Sequence, residues 1–187
     1  VYDALDSNGY RVSIMDFNCK DKTILYSFIK SNNIDLVFNL MHGIGGEDGL
    51  VQSYLEESSV KYVGSDSKSS NLSFNKVATK VKWISGSIPT PNYSILSDIN
   101  ENFLQEIQKS NKIIVKPISS GSSVGIKILR VKDLDVTDVT KLLKSISQYY
   151  DDIILDNYFV EEFVSGDEYT APIVNDKVLP ILSLIHI

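Results

Sequence analysis

Cysteine occurs once in this chain of 187 residues, as Cys19, so no internal disulfide can form and a reduced, cytoplasmic setting is expected. Basic residues are outnumbered 18 to 24, giving a net charge of −6, and no basic cluster or arginine-rich arm stands out; duplex nucleic acid is therefore not an expected partner. No apolar run approaches the roughly 20 residues that span a bilayer, so no membrane partner is expected. A signal-peptide pattern is not visible, although the chain does not begin with methionine. What remains is 43% hydrophobic and 22% charged, enough to build one or two small units with a core. Both ends read as cut. Val1–Leu5 looks like the last turns of a helix stopped at Gly9, and Ile181–Ile187 is an apolar run of strand type with no polar terminus.

The first third alternates strand and helix signals. Val12–Asp16 alternates as a strand does, Ile24–Lys30 suits a short helix, and Ile34–Asn39 is an apolar run of strand length. A glycine-rich loop, His42–Gly49, follows it directly; Leu50–Glu57 then reads as a helix and Tyr62–Gly64 as a strand. Such alternation implies a parallel sheet covered by helices, with ligands at the carboxyl ends of the strands, where the His42–Gly49 loop lies. Ser65–Asn75 reads as a loop leading into a helix over Asn71–Ile84, and Ile88-Pro89-Thr90-Pro91 must be extended. The remainder predicts a strand at Tyr93–Leu96, helices at Asn100–Lys109 and Asp133–Tyr150, and strands around 113–115, 126–129, 153–155, 158–164, 169–174 and 178–182. The fold class is thus α/β followed by α+β with antiparallel hairpins.

Between two of those strands lies Lys116-Pro117-Ile118-Ser119-Ser120-Gly121-Ser122-Ser123-Val124-Gly125. Gly121 and Gly125 let backbone approach an anion, and the exposed N–H groups and serine hydroxyls can donate to phosphate oxygens. Lys116 adds a positive charge. The spacing is not that of a Walker A loop. Taken singly, Lys116 also suits a solvent-facing strand end, and Lys76 an ordinary helix lysine rather than a second phosphate-binding cation. On the Glu161–Glu168 segment, Glu161 and Phe163 share one strand face, and the acidic groups can accept from an adenine amino group or ribose hydroxyls; a solvated strand with an acidic turn is the plainer reading. In the His42–Gly49 loop, Glu47 and Asp48 can attract an ammonium group, and His42 can donate to a carboxylate or orient Glu47. Asp48 equally suits a cap on the helix that follows. Cys19 has no partner that makes it a nucleophile, and His186 is the second of two histidines.

Five motifs stand here in order: LMHGIGGEDG (40–49), the Lys76 helix, IPTP (88–91), VKPISSGSSVG (115–125) and VEEFVSGDEYT (160–170). Together they resemble the D-alanine–D-alanine ligase family of the ATP-grasp superfamily, from about Leu5 to Pro180. The resemblance implies a partial Rossmann-like N-terminal domain (1–66), a central ATP-grasp subdomain (67–159) and the start of a C-terminal ATP-grasp subdomain (160–187). It implies ATP-dependent joining of two D-alanines through an acyl phosphate, for peptidoglycan precursors, in a cytoplasmic homodimer; D-lactate or D-serine as second substrate, and a non-catalytic ATP-binding module, are the alternatives. By resemblance Lys76 and Lys116 bind ATP phosphates, and Gly121, Ser122 and Ser123 belong to the loop that closes over them. Ser122 also anchors the first D-alanine, with His42 and Glu47 beside it. Glu161, with backbone groups of Phe163 and Val164, holds adenine, and Glu168 lies near the ribose and braces the serine network. Phe74-Asn75 replaces the family's usual Met-Asp, and Ser120 stands where an acidic residue is common. Magnesium ligands and an oxyanion-stabilising arginine are expected beyond Ile187, so the 187 residues alone are expected to be inactive.

Overall fold

A computed structural model describes residues 1–184. Helix α1 (Tyr2–Asp6) leads into a long irregular segment, and α2 (Lys22–Ser31) starts at Asp21, whose carboxylate accepts the Thr23 N–H. The strand expected at Val12–Asp16 does not form: alternation sets which way side chains face but supplies no ladder partner, and this segment stays unpaired. Strand β1 (Leu36–Phe38), helix α3 (Leu50–Glu57) and strand β2 (Lys61–Val63) form the parallel unit, with Val37 opposite Tyr62. Phe17, Leu25, Val51 and Leu55 are its buried core.

The expected single helix over 71–84 is two, and the expected loop at 65–75 is mostly the first of them. Helix α4 (Ser67–Phe74) is capped by Asp66, and α5 (Lys76–Ser85) by Asn75, whose side-chain oxygen accepts the Ala78 N–H. Asn75 is extended (φ −87°, ψ 103°), which ends one helix and starts the next.

Strand β3 (Tyr93–Ile95) and helix α6 (Glu101–Ile107) precede a hairpin of β4 (Lys112–Pro117) and β5 (Lys127–Arg130). Helix α7 (Val139–Ser147) is shorter than expected, because 131–133 form a separate 3-10 turn and Asp138 caps the helix at Lys141. A 3-10 turn at Leu155–Asn157 replaces the strand expected at 153–155 and leads into β6 (Tyr158–Glu162). These strands form one antiparallel sheet in the order β3-β6-β4-β5, so the boundary expected at residue 160 falls within β6. Two short ladders follow: β7 (Tyr169–Thr170) pairs with β10 (Leu182–Ser183), and β8 (Ile173–Val174) with β9 (Lys177–Val178). The end of the expected 181–187 strand, with His186, lies outside the described residues.

Register decides what each face of the sheet carries. Val115 lies opposite Val160 and Ile113 opposite Leu129; these pack with Leu104, Leu142 and Ile146 into the larger core. Directly paired residues share a face and neighbours along a strand alternate. The other face therefore carries Ile114 and Lys116 on β4, Phe159 and Glu161 on β6, and Tyr93 on β3. Among the described residues no helix is long and apolar enough to cross a membrane.

Candidate functional site

The polar face of the sheet meets the first turns of α5. Ile114 opposes Glu161 and Lys116 opposes Phe159, so Lys116 and Glu161 are diagonal neighbours; Lys116 Nζ lies 2.5 Å from Glu161 Oε1. The other carboxylate oxygen, Oε2, is 2.6 Å from Lys80 Nζ. Lys80 and Glu161 are 4% and 5% exposed, so each is a buried charge compensated by the other. Lys80 also donates to Thr90 Oγ1 and stands 5.1 Å from the centroid of the Tyr93 ring. Lys80 was missed in the sequence because a helical lysine reads as solvated. The available signal was its spacing of four from Lys76, which puts both on one helix face.

Lys76 opens α5 beside the serine-rich loop. Its N–H donates to Ile118 O (2.9 Å), its Nζ donates to Ser120 O (2.7 Å), and Asn75 bridges to Ser119. Partial burial pushes the Lys76 amine below its ordinary pKa, and the nearby positive Lys116 adds to the shift. Lys80 and Lys116 thus share one carboxylate, and Lys76 stands near enough to Lys116 to feel its charge while holding the loop at Ser120.

The loop is exposed at its tip and held at its far end. Ser122 and Ser123 adopt left-handed backbone (φ 51° and 59°), and Val124 N donates to Gly121 O. At Gly125 (φ 75°) a Cβ would stand 2.8 Å from Pro117 Cγ, and the Gly125 carbonyl accepts from Tyr150 Oη at 3.1 Å. Tyr150 in turn packs edge-on against Tyr158.

The glycine-rich loop approaches from the parallel unit. Glu47 Oε2 accepts the Gly43 N–H at 2.7 Å, and His42 Nδ1 stands 3.7 Å from Glu47 Oε1 with its ring largely exposed. A Cβ on Gly121 would lie 3.1 Å from Glu47 Oε2, so the two loops face each other directly. Asp48 serves the loop itself, accepting from Gly45 N and Leu50 N. Gly46 is fixed from below: its carbonyl accepts from Asn39 Nδ2 and from the buried Gln52 Nε2.

The structure therefore brings together Lys76, Lys116, Glu161, Gly121 and Glu47, with His42 against Glu47. Phe163 continues from β6 with its N–H given to Lys112 O, and Val164 beyond it is exposed. Glu168 is exposed, and its backbone carbonyl accepts from Leu184 N. Neither its carboxylate nor the Ser122 hydroxyl makes a hydrogen bond among the described residues. No cluster of three or more His, Cys, Asp or Glu side chains that can hold a metal occurs among the described residues.

A parallel β-α-β unit followed by an antiparallel sheet, with a small-residue loop over paired lysines, is a partial ATP-grasp arrangement. Comparison with known proteins is narrower still. Residues 18–65 match the family model described as D-ala D-ala ligase N-terminus. The D-alanine–D-alanine ligase of Actinobacillus succinogenes is 32% identical over 189 residues, covering 99% of this chain and 57% of that protein. That of Haemophilus ducreyi is 35% identical over 191 residues, with the same coverage. The crystal structure of the Bacillus anthracis D-alanine–D-alanine ligase superposes with a TM-score of 0.73 at 31% identity, covering 97% of this chain and 56% of that one. Its complex with ATP gives 0.70 at 28% identity, covering 97% and 57%. The chain is thus similar in sequence and fold to D-alanine–D-alanine ligases along nearly its whole length, and spans about 57% of the length of these curated relatives.

Proposed function

We propose that this chain supplies the nucleotide side and the first-substrate side of an ATP-dependent D-alanine–D-alanine ligase. One observation carries the reading: Lys76 holds the Ser120 carbonyl of the loop that follows Lys116, and Gly121 of that loop abuts Glu47 of the glycine-rich loop. An ATP-binding face and a small-substrate loop side by side are what phosphoryl transfer to a carboxylate needs. Lys76 and Lys116 hold the phosphates, and backbone and hydroxyl donors of 121–123 close over them, stabilising charge as it redistributes. Bound magnesium supplies further neutralisation of that charge. Glu47, oriented by the Gly43 N–H and His42, faces the ammonium side of the first D-alanine, and Ser122 anchors it. Phe163 and Val164 border the adenine, with Glu161 behind them, and Glu168 borders the ribose. D-alanine as second substrate follows the names of the relatives, and a cytoplasmic homodimer follows the family resemblance; size-exclusion chromatography checks the assembly.

Calorimetric titration of the chain with ATP tests the nucleotide half. Lys76→Met and Lys116→Met are each expected to weaken binding by about tenfold or more, the loss of a charge-assisted contact. Unchanged affinity in both variants would exclude this lysine pair as the ATP site. D-alanine-dependent ADP release by the full-length gene product, with Glu47→Gln as the variant, tests the ligase half.

A further inference from the structure

We propose that Lys80 is a positioning residue of the nucleotide site: it keeps Glu161 compensated so that Lys116 can leave that carboxylate for a phosphate. The inference rests on the nucleotide reading above and adds to it a residue that does not itself touch the ligand.

Lys116 and Lys80 share one carboxylate but are held differently. Lys80 has every side filled: Glu161 Oε2 at 2.6 Å, Thr90 Oγ1 at 2.5 Å and the Tyr93 ring at 5.1 Å, and it is buried. The Lys116 side chain is 24% exposed and, among the described residues, its ammonium is held by Glu161 alone. It also feels the charge of Lys76. Lys80 is thus the fixed partner and Lys116 the movable one. A buried carboxylate that loses its last counter-charge is strongly disfavoured. With Lys80 in place, Glu161 stays paired when Lys116 turns to an incoming phosphate. Without Lys80, the phosphate must compete with Glu161 for its only cation. Lys80 therefore acts on the nucleotide through Glu161 and Lys116.

The test separates this role from simple packing. ATP affinity is measured by calorimetry on the chain, its Lys80→Met variant, and the Lys80→Met/Glu161→Gln double variant. Lys80→Met is expected to weaken ATP by about tenfold, and the double variant to recover most of that loss because the charge retaining Lys116 is gone. A purely structural Lys80 also lets the double variant recover stability, since losing both members of a buried pair costs less than losing one; the readout it leaves unmoved is the reactivity of Lys116. A second readout needs no nucleotide: acetylation of Lys116 in the ligand-free chain, followed by mass spectrometry relative to the exposed Lys109. It should slow in Lys80→Met and quicken in the double variant. Should Lys80→Met fail to fold by circular dichroism, Thr90→Val replaces it; it keeps both charges, loosens Lys80, and should shift both readouts the same way by about two- to threefold. A double variant no tighter than the single, or Lys116 labelling indifferent to the substitutions, overturns the proposal. If the parent chain binds no ATP, the nucleotide reading falls, and the labelling order alone decides whether Lys80 governs Lys116.

Discussion

At the scale of single residues, the site uses unfavourable electrostatics in its ligand-free form. Lys76 is partly desolvated and repelled by Lys116, both of which disfavour its charge, and its amine sits below the ordinary 10.5. The consequence has opposite signs for stability and for binding. Between the lowered native value and 10.5 the unfolded chain binds more protons than the folded one, so the Lys76 contribution to stability rises with pH there. Phosphates favour the charged amine, so a nucleotide binding above the native value must also take up a proton. ATP affinity is therefore expected to fall as pH rises through the lowered Lys76 value, while the ligand-free chain gains stability over the same interval. Titrations between neutral pH and pH ~10 check this, with Lys76→Arg as comparison, because arginine keeps its charge throughout and its affinity should decline less. An equal decline in both chains would remove Lys76 as the titrating group.

At the scale of elements, Asn75 joins secondary structure to site. Its side chain caps α5 at Ala78, its backbone bridges to Ser119, and the next residue is the lysine that reaches Ser120. Asn75→Ala should cost about 1 kcal/mol of stability, as loss of a cap does. Asp138→Ala at the start of α7, which packs on the sheet face opposite Lys116 and Glu161, removes an equivalent cap and should cost a similar ~1 kcal/mol. Only Asn75→Ala should also weaken ATP, so urea denaturation and calorimetry on the two variants separate cap from site. Both caps were visible as residue types, yet 71–84 read as one helix because Val77, Val81 and Ile84 keep helical spacing and mask the break at Asn75. The Leu50–Glu57 helix and the β4–β5 hairpin were legible because their periodicity matches their burial. Local pattern could not show Lys80 meeting Glu161: that contact depends on α5 docking on the sheet, and distant charges look solvated until packing joins them. The motif order grouped residues that periodicity could not, and Lys76, Lys116, Gly121 and Glu47 lie near one another although each was ambiguous singly.

At the scale of the whole molecule, the Gly121 and Glu47 loops that face each other belong to units with cores of unequal size. Among the described residues, thirteen buried hydrophobic residues form the cluster between the antiparallel sheet, α6 and α7, whereas four form the cluster under the parallel unit. Burial of apolar surface is the main favourable term in folding, so the smaller cluster should open first. The Glu47 loop belongs to that weaker side and the Lys116 loop to the stronger. Leu55 and Leu142 are both fully buried, one in each cluster, and either Leu→Ala change should cost about 2–5 kcal/mol within its own core. Hydrogen exchange read by mass spectrometry then distinguishes the two regions. Leu55→Ala should speed exchange in α2, α3 and the 39–49 loop while leaving β4 and β6 protected, so ATP binding should survive better than D-alanine binding. Leu142→Ala should expose β4 and β6 and abolish ATP binding outright. Uniform acceleration along the chain in both variants would instead show one cooperative unit, with the lysine cluster and the Glu47 loop rising and falling in stability together.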